Sequence, residues 1–243
     1  MRGEVVVDFL PEAAQRYGRG WALVAVDVIR ATTTAVTAAW RGFRVYPAAD
    51  LADARALATM LEDPLLVGEL GGTVPAGFHE ANSPAVMEEL AEKDRPVVLL
   101  STNGTRLLQP DPRRATTYAA CLRNASAQAD WLIGRHRRVA LVGAGSRGQF
   151  REEDQYGCAR LAVPLLEAGF VPGGMTLDVV RRWQGRPPTA FADGASADYL
   201  RRTGQLADLD FVLAHDDDIP AVVALSGRRL SCVAADRMQV AAS

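Results

Sequence analysis

Four apolar runs in this chain are each followed by a short polar segment, and those segments hold most of its reactive side chains. Trp21–Val26 leads into Asp27, Arg30 and the threonines Thr32, Thr33 and Thr34. Leu65–Gly68 leads into Glu69. Pro96–Leu100 leads into Ser101, Thr102, Asn103, Gly104 and Thr105. Arg138–Val142 leads into GAGSRG at 143–148, which carries Arg147, and then Glu152, Glu153 and Asp154. In open α/β sheets, ligands bind outside the carboxyl ends of the strands, so parallel strands would bring the four segments to one edge. Carboxylates of this kind suit Mg²⁺, whereas a zinc site would call for His or Cys. Arginine, hydroxyls and glycine-flanked amides suit phosphate. Together they point to phosphoryl chemistry. The competing local explanation is that Asp27 caps a helix and the threonines fill its first turn. That explanation leaves Arg30 unaccounted for.

Several familiar chemistries are excluded by position. A cysteine-nucleophile phosphatase loop places Arg six residues after Cys, but Ala127, Pro164 and Met238 stand six residues after Cys121, Cys158 and Cys232. An aspartyl-phosphate D-x-D pair would need an acid at Ile29. The phosphohistidine pattern fails because Arg135-His136 is followed by Arg137, and no Walker A pattern is present. GAGSRG has the spacing of a dinucleotide fingerprint after a strand, yet the residues that follow Gly148 put three carboxylates where a pyrophosphate would lie. His79, His136 and His215 are isolated and read as surface or satisfied core residues.

The elements that must position these residues alternate. Glu4–Phe9 reads as a strand, Pro11–Arg16 as a short helix, Thr33–Trp40 as an alanine-rich helix and Arg44–Pro47 as a strand. Asp50 caps a helix over Leu51–Leu61. Ser83 and Pro84 open one over Pro84–Ala91. Helices are also expected at Ala125–Ile133, Asp154–Ala168 and Ala195–Arg202, and a strand at Phe211–Ala214. The expected fold class is α/β: a layered, largely parallel or mixed β-sheet covered by helices. Residues 1–243 read as a single domain, with a lid or a seam between two lobes near 181–194.

Composition sets the outer bounds. A chain of 243 residues, 49% hydrophobic, can bury a core without disulfides or structural metal. A net charge of −2 gives no basic field for nucleic acid. No apolar run approaches the roughly 20 residues of a membrane helix. The apolar run near the amino terminus is short and contains Asp8, unlike a signal peptide. A cytoplasmic protein with small buried cysteines is expected, and a homo-oligomer stays compatible. Glu152 and Asp216–Asp218 read as solvated charges.

Several motifs in order carry a resemblance. DVIRATTT (27–34), G-E-L-G (68–71), G-F-x₃-N-S-P (77–84), STNGT (101–105), Asn124-Ala125-Ser126 and E-D-x₂-G-C-A (153–159) resemble the 2-phosphosulfolactate phosphatase family. The likeness covers residues 5–170 best. Ala81 departs from it, standing where the family has Gly before N-S-P. The resemblance implies Mg²⁺-dependent hydrolysis of 2-phospho-3-sulfolactate to 3-sulfolactate and phosphate, a step of coenzyme M biosynthesis in methanogens. It places Asp27, Glu69 and Asp154 as metal ligands, with Glu153 as the alternate to Asp154. Arg30, Asn103, Thr32, Thr102 and Thr105 form the expected phosphate set, with Asp27 and Arg30 catalytic and Arg147 on the sulfonate or carboxylate. A metal-activated water is the preferred nucleophile and Asp27 itself the rival. The partner expected is a small phosphorylated and sulfonated acid. Two alternatives remain: a different small phosphorylated acid as substrate, or a non-catalytic module that binds one.

Overall fold

The computed structural model describes residues 3–233; the two ends of the expected 1–243 unit, residues 1–2 and 234–243, lie outside the described residues. The strands are β1 (Glu4–Phe9), β2 (Ala22–Val26), β3 (Val45–Ala48), β4 (Leu65–Gly68), β5 (Val97–Leu100), β6 (Thr116–Ala120), β7 (Arg138–Gly143), β8 (Val171–Gly174), β9 (Val223–Ser226) and β10 (Arg229–Cys232). The α-helices are α1 (Ala31–Trp40), α2 (Leu51–Met60), α3 (Pro84–Glu89), α4 (Gly104–Leu107), α5 (Ala125–Arg135), α6 (Glu152–Glu167), α7 (Thr176–Trp183), α8 (Ala195–Arg202) and α9 (Leu206–Ala214). The strands form one mixed sheet in the order β4-β5-β3-β10-β9-β6-β2-β7-β1-β8, and the fold is α/β as expected.

The strand directions correct the simple picture of one shared carboxyl edge. β4, β5 and β3 are parallel to one another, as are β6, β2, β7, β1 and β8. Three antiparallel pairings, β3–β10, β10–β9 and β9–β6, join the two blocks and leave them running in opposite directions. In a flat sheet β2 and β5 would also lie about 24 Å apart, five strand spacings. The sheet instead curls. One apolar cluster holds Leu23 and Ala25 of β2, Val97 and Leu99 of β5, Val67 of β4, and Ala35, Val36, Ala38 and Ala39 of α1. α1 is therefore enclosed by the inner face, and all its residues from Ala31 to Ala39 are buried. The outer faces are covered separately. Val24 and Val26 pack with residues of α5, α6 and α7, while Val98 and Leu100 pack with Ala54 and Leu57 of α2.

Burying a threonine-rich helix requires partners for its hydroxyls. Thr32, Thr33 and Thr34 donate to the carbonyls of Asp27, Val28 and Arg30, and Thr37 accepts from Arg123 Nη1. The predicted caps of α2 and α3 are present: Asp50 accepts from the Asp53 amide and Ser83 from the Val86 amide.

Phe211–Ala214 is not a strand; it ends α9, with Leu209 and Val212 buried at helical spacing. A short apolar run fits either state, and only the packing of α9 against α3 and α8 selects the helix. Thr176–Trp183 is a helix, so the irregular excursion near 181–194 is shorter than expected. β6, β8 and β10, which have no strong apolar run of their own, and β9, which ends the apolar run at 221–225, complete the sheet. Asp216–Asp218 are not simply solvated: Arg160 pairs with Asp216 and Asp217, and Arg123 with Asp218 and Glu88. Glu152 pairs with Arg182. The histidines are satisfied locally, His79 by the Leu66 amide, His136 by Tyr118 and His215 by the Phe211 carbonyl.

Arg123 thus ties α1, Glu88 of α3 and Asp218 together while its own side chain is 4% exposed. Arg123→Met should lower stability by about 2 kcal/mol, below the usual cost of breaking a fully buried pair because both acid partners are partly solvated. Thermal melting should show a fall of about 4–8 °C; an unchanged melting temperature would make this network dispensable.

Candidate active site

The loops that follow β2, β4, β5 and β7 meet despite the opposed directions of their strands. Asp154, in the first turn of α6, accepts the Val28 amide on Oδ1 and the Gly145 amide on Oδ2, each at 2.9 Å. Asn103 Nδ2 donates to the Gly145 carbonyl at 2.9 Å. Glu69 accepts the Thr102 amide at 2.8 Å and the Thr102 hydroxyl at 2.9 Å, and its Oε2 also takes the Gly72 amide at 2.7 Å. These bonds run from the β2 loop to the β7 loop, on to the β5 loop and then to the β4 loop. Asp27 lies inside this chain and is 9% exposed. Its Oδ1 accepts the Ala31 amide at 3.2 Å, so it does help to cap α1. Its Oδ2 has no hydrogen bond and faces Gly104, where any Cβ would collide with it. That close approach is what Gly104 permits.

The sequence-predicted residues divide by what they touch. Asp27, Glu69, Asn103, Asp154 and Glu153 are brought together. Thr32 is fully buried, its hydroxyl accepting the Asp27 amide and donating to the Asp27 carbonyl. Thr105 is also fully buried, accepting the Ser101 amide, and Thr102 is committed to Glu69 and the Gly71 amide. These three hydroxyls shape the loops. Arg147 stands exposed with φ +52° at the tip of a tight turn closed by paired Ser146 and Gln149 bonds. Arg30 is 6% exposed; its Nη1 pairs with Asp208 and donates to Gln205 Oε1 at 2.5 Å.

Residues far along the chain complete the site. Asp208 accepts from Ser83 Oγ at 2.5 Å, Tyr199 donates to the Gly72 carbonyl at 3.1 Å, and the Ser196 hydroxyl lies beside Glu153 and favours its ionised form. Ser83 is legible in the sequence as a helix cap and as part of the N-S-P motif, but not as a partner of Asp208. Nothing local marks Asp208, Gln205, Ser196 or Tyr199, because the packing of α8 and α9 over the loops is what delivers them.

A profile of the 2-phosphosulpholactate phosphatase family matches residues 8–227. This chain belongs to that family. It is 32% identical over 241 residues to a protein of Synechococcus sp. strain RCC307 named "Probable 2-phosphosulfolactate phosphatase", covering 89% of this chain and 97% of the relative. A protein of the same name from Deinococcus radiodurans is 32% identical over 237 residues, 88% of this chain and 95% of its own. One from Carboxydothermus hydrogenoformans reaches 35% over 165 residues, 68% of each. The family name denotes a phosphoric monoester hydrolase, and the cluster of carboxylates around Asp27 is the part of this fold suited to such chemistry. No helix among the described residues is long and apolar enough to cross a membrane.

The electrostatics of this family member are unbalanced. Burial pushes the Asp27 carboxyl up to about 7; the Ala31 amide opposes this, Glu69 and Glu153 add to it, and Arg30 offsets part of it. Burial, then Asp27 and Glu153, raise Asp154 well above the carboxylate range despite its two amide bonds. Burial raises Glu153 as well, with Ser196 and Arg151 working against it. The Arg30 guanidinium, which offsets part of the Asp27 shift, is already matched by Asp208. Excess buried negative charge of this kind fits a hard divalent cation. Among the described residues no three His, Cys, Asp or Glu side chains converge on one metal-holding point. Mg²⁺ commonly uses one or two carboxylates and keeps several waters, so the donor set fits it with Asp27 Oδ2 as the free protein oxygen.

These shifts set the pH response of the metal-free protein. Between about pH 4, where unfolded carboxyls ionise, and about pH 7, the folded state holds more protons. Stability is therefore present at low pH and is lost as pH rises through the folded pKa. His136, lowered by burial and Arg135, works the other way but is one group against three. In EDTA the melting temperature should fall by about 5–10 °C from pH 5.5 to pH 8. Millimolar Mg²⁺ should restore more of it at pH 8 than at pH 5.5. A melting temperature that rises over this range would contradict the shifts.

Proposed function

We propose that this protein hydrolyses 2-phospho-3-sulfolactate to 3-sulfolactate and phosphate, with Mg²⁺ as cofactor, at the carboxylate cluster around Asp27. The observation that carries this is Asp27 Oδ2, an oxygen without a hydrogen bond on a buried side chain, set among Glu69, Glu153 and Asp154 and within the electrostatic reach of Arg30. Family membership supplies the reaction class, and the relatives' names supply the substrate. Asp27 would hold the metal, with Glu69, Glu153 and Asp154 adding negative potential around it. The metal, when bound, would neutralise charge on the phosphoryl oxygens.

The chain's own residues supply the rest. Arg30 Nε and Nη2, which have no hydrogen bond in the structure, form the edge of the guanidinium that can grip two phosphoryl oxygens. Asn103 and Gly145, tied to each other, border the same space. Arg147, exposed and close in sequence to this border, is the candidate for the second anionic group of the substrate. Attack on phosphorus by water is the preferred route and attack by Asp27 itself the rival, and a phosphoryl adduct detected by mass spectrometry separates the two. A purely anion-binding module is the less favoured alternative, since buried carboxylates repel the ligand such a module would hold.

Three outcomes are expected. Phosphate release from 2-phosphosulfolactate should stop after exhaustive EDTA treatment and return with Mg²⁺; full activity in metal-free protein would remove the cofactor from the scheme. Asp27→Asn keeps a carbonyl that can still accept the Ala31 amide. It should lower kcat by on the order of 10²-fold or more with the melting temperature preserved or, in metal-free protein near pH 8, raised. Arg30→Lys should impair kcat/KM by roughly 10-fold or more, because lysine keeps the charge and loses the fork. Wild-type kinetics in either variant would assign that residue to the scaffold.

A further inference from the structure

We propose that Asp208 is a positioning residue for Arg30, fixing which edge of the guanidinium faces the phosphoryl group. The inference rests on the role given to Arg30 above and deepens it. Arg30 and Asp208 side chains are each 5% exposed, so neither can turn to water without partners. Arg30 Nη1 serves two acceptors, Asp208 Oδ2 and Gln205 Oε1. A planar guanidinium held at Nη1 has its remaining bidentate edge, Nε and Nη2, directed away from those acceptors. That edge makes no hydrogen bond to the protein.

Asp208 is itself held from the other side. Its Oδ1 accepts Ser83 Oγ at 2.5 Å and the Ala85 amide at 3.3 Å. Ser83 Oγ accepts the Val86 amide at 3.1 Å as the cap of α3, which leaves its proton to point at Asp208. Leu209, next to Asp208 on α9, is buried against α8 residues Ala197 and Leu200. The chain of contacts therefore runs from the α3 cap through Asp208 to Arg30, and Asp208 acts only through Arg30.

Charge and orientation make opposite demands, which gives the test its power. If Asp208 served only to neutralise Arg30, Asp208→Asn would leave a stronger unopposed cation, and anions would bind more tightly. If it orients Arg30, the variant loses the fixed fork and binds them more weakly. The measurement is calorimetric binding of inorganic phosphate to the full chain, which does not depend on turnover, with melting curves recorded in parallel. Asp208→Asn should weaken phosphate binding about 10-fold, and Gln205→Ala about 3-fold. Gln205 is partly exposed, so that variant keeps the fold if Asp208→Asn does not. In an Arg30→Ala background, Asp208→Asn should change nothing further. Guanidinium chloride should restore part of the kcat lost in Arg30→Ala and none in Arg30→Ala/Asp208→Asn. Phosphate binding unchanged or tighter in the folded variants, or equal rescue in both backgrounds, overturns the assignment. A wild-type protein that binds phosphate but releases none from 2-phosphosulfolactate sinks the proposed reaction and leaves the positioning role standing.

Discussion

Every residue of α1 from Ala31 to Ala39 is buried, so this helix can form only if apolar surface closes around it on all sides. A single flat sheet offers one face. The ten-stranded sheet meets the demand by curling, so that residues of β2, β3, β5 and β10 join those of α1 in one apolar cluster. The same curl carries the carboxyl end of β2 to the carboxyl end of β5, although the two strands belong to oppositely directed blocks. The site is therefore a consequence of how the core closes. The loop that starts α1, Asp27 to Arg30, lies at the seam between the blocks.

Enclosure also dictates the chemistry of that loop. A buried helix start has amides and hydroxyls that water cannot reach. Asp27 takes the Ala31 amide, Thr32 satisfies the Asp27 backbone in both senses, and Asp154 reaches across from α6 for the Val28 amide. Carboxylates placed for these structural bonds end up close to one another in a poorly solvated space. Their mutual repulsion and desolvation raise their proton affinity, and a cation relieves both. Structural capping and the accumulation of buried negative charge thus come from the same side chains. The local explanation of Asp27 as a cap and the functional one are complementary.

The helical pair α8 and α9 shows how a late segment completes a site whose loops come from earlier in the chain. Its small apolar cluster of Ala197, Leu200 and Leu209, touching Ile29, seats it over the β2 loop. From there it sends Ser196 to Glu153, Tyr199 to the Gly72 carbonyl, and Gln205 and Asp208 to Arg30. Each contact meets a different loop or a different side of one, so the pair fixes the loops relative to each other. Gly72 has no room for a Cβ beneath Tyr199, which explains a glycine there beyond its φ of +88°.

The sequence by itself determined what is local. Apolar runs predicted β1, β2, β4, β5 and β7 to within a residue or two, because a buried strand must be apolar along its length. Asp50, Ser83 and Pro84 marked helix starts because capping depends on neighbours three residues away. The ordered motifs pointed to the family, and with it to the candidate acids Asp27, Glu69, Glu153 and Asp154 that the fold brings together. What only the tertiary structure decided is everything that depends on long-range closure. Oppositely directed strand blocks were not legible, since direction depends on pairings such as β9 with β6, more than 100 residues apart. FVLA at 211–214 is short enough to be either strand or helix, and α3 and α8 made it helix. Thr32 and Thr105 carry hydroxyls suited to phosphate, but burial turned them to backbone partners. Asp208 is one acid among many in the sequence; it becomes the partner of Arg30 because the fold brings residues 178 positions apart into one buried pair.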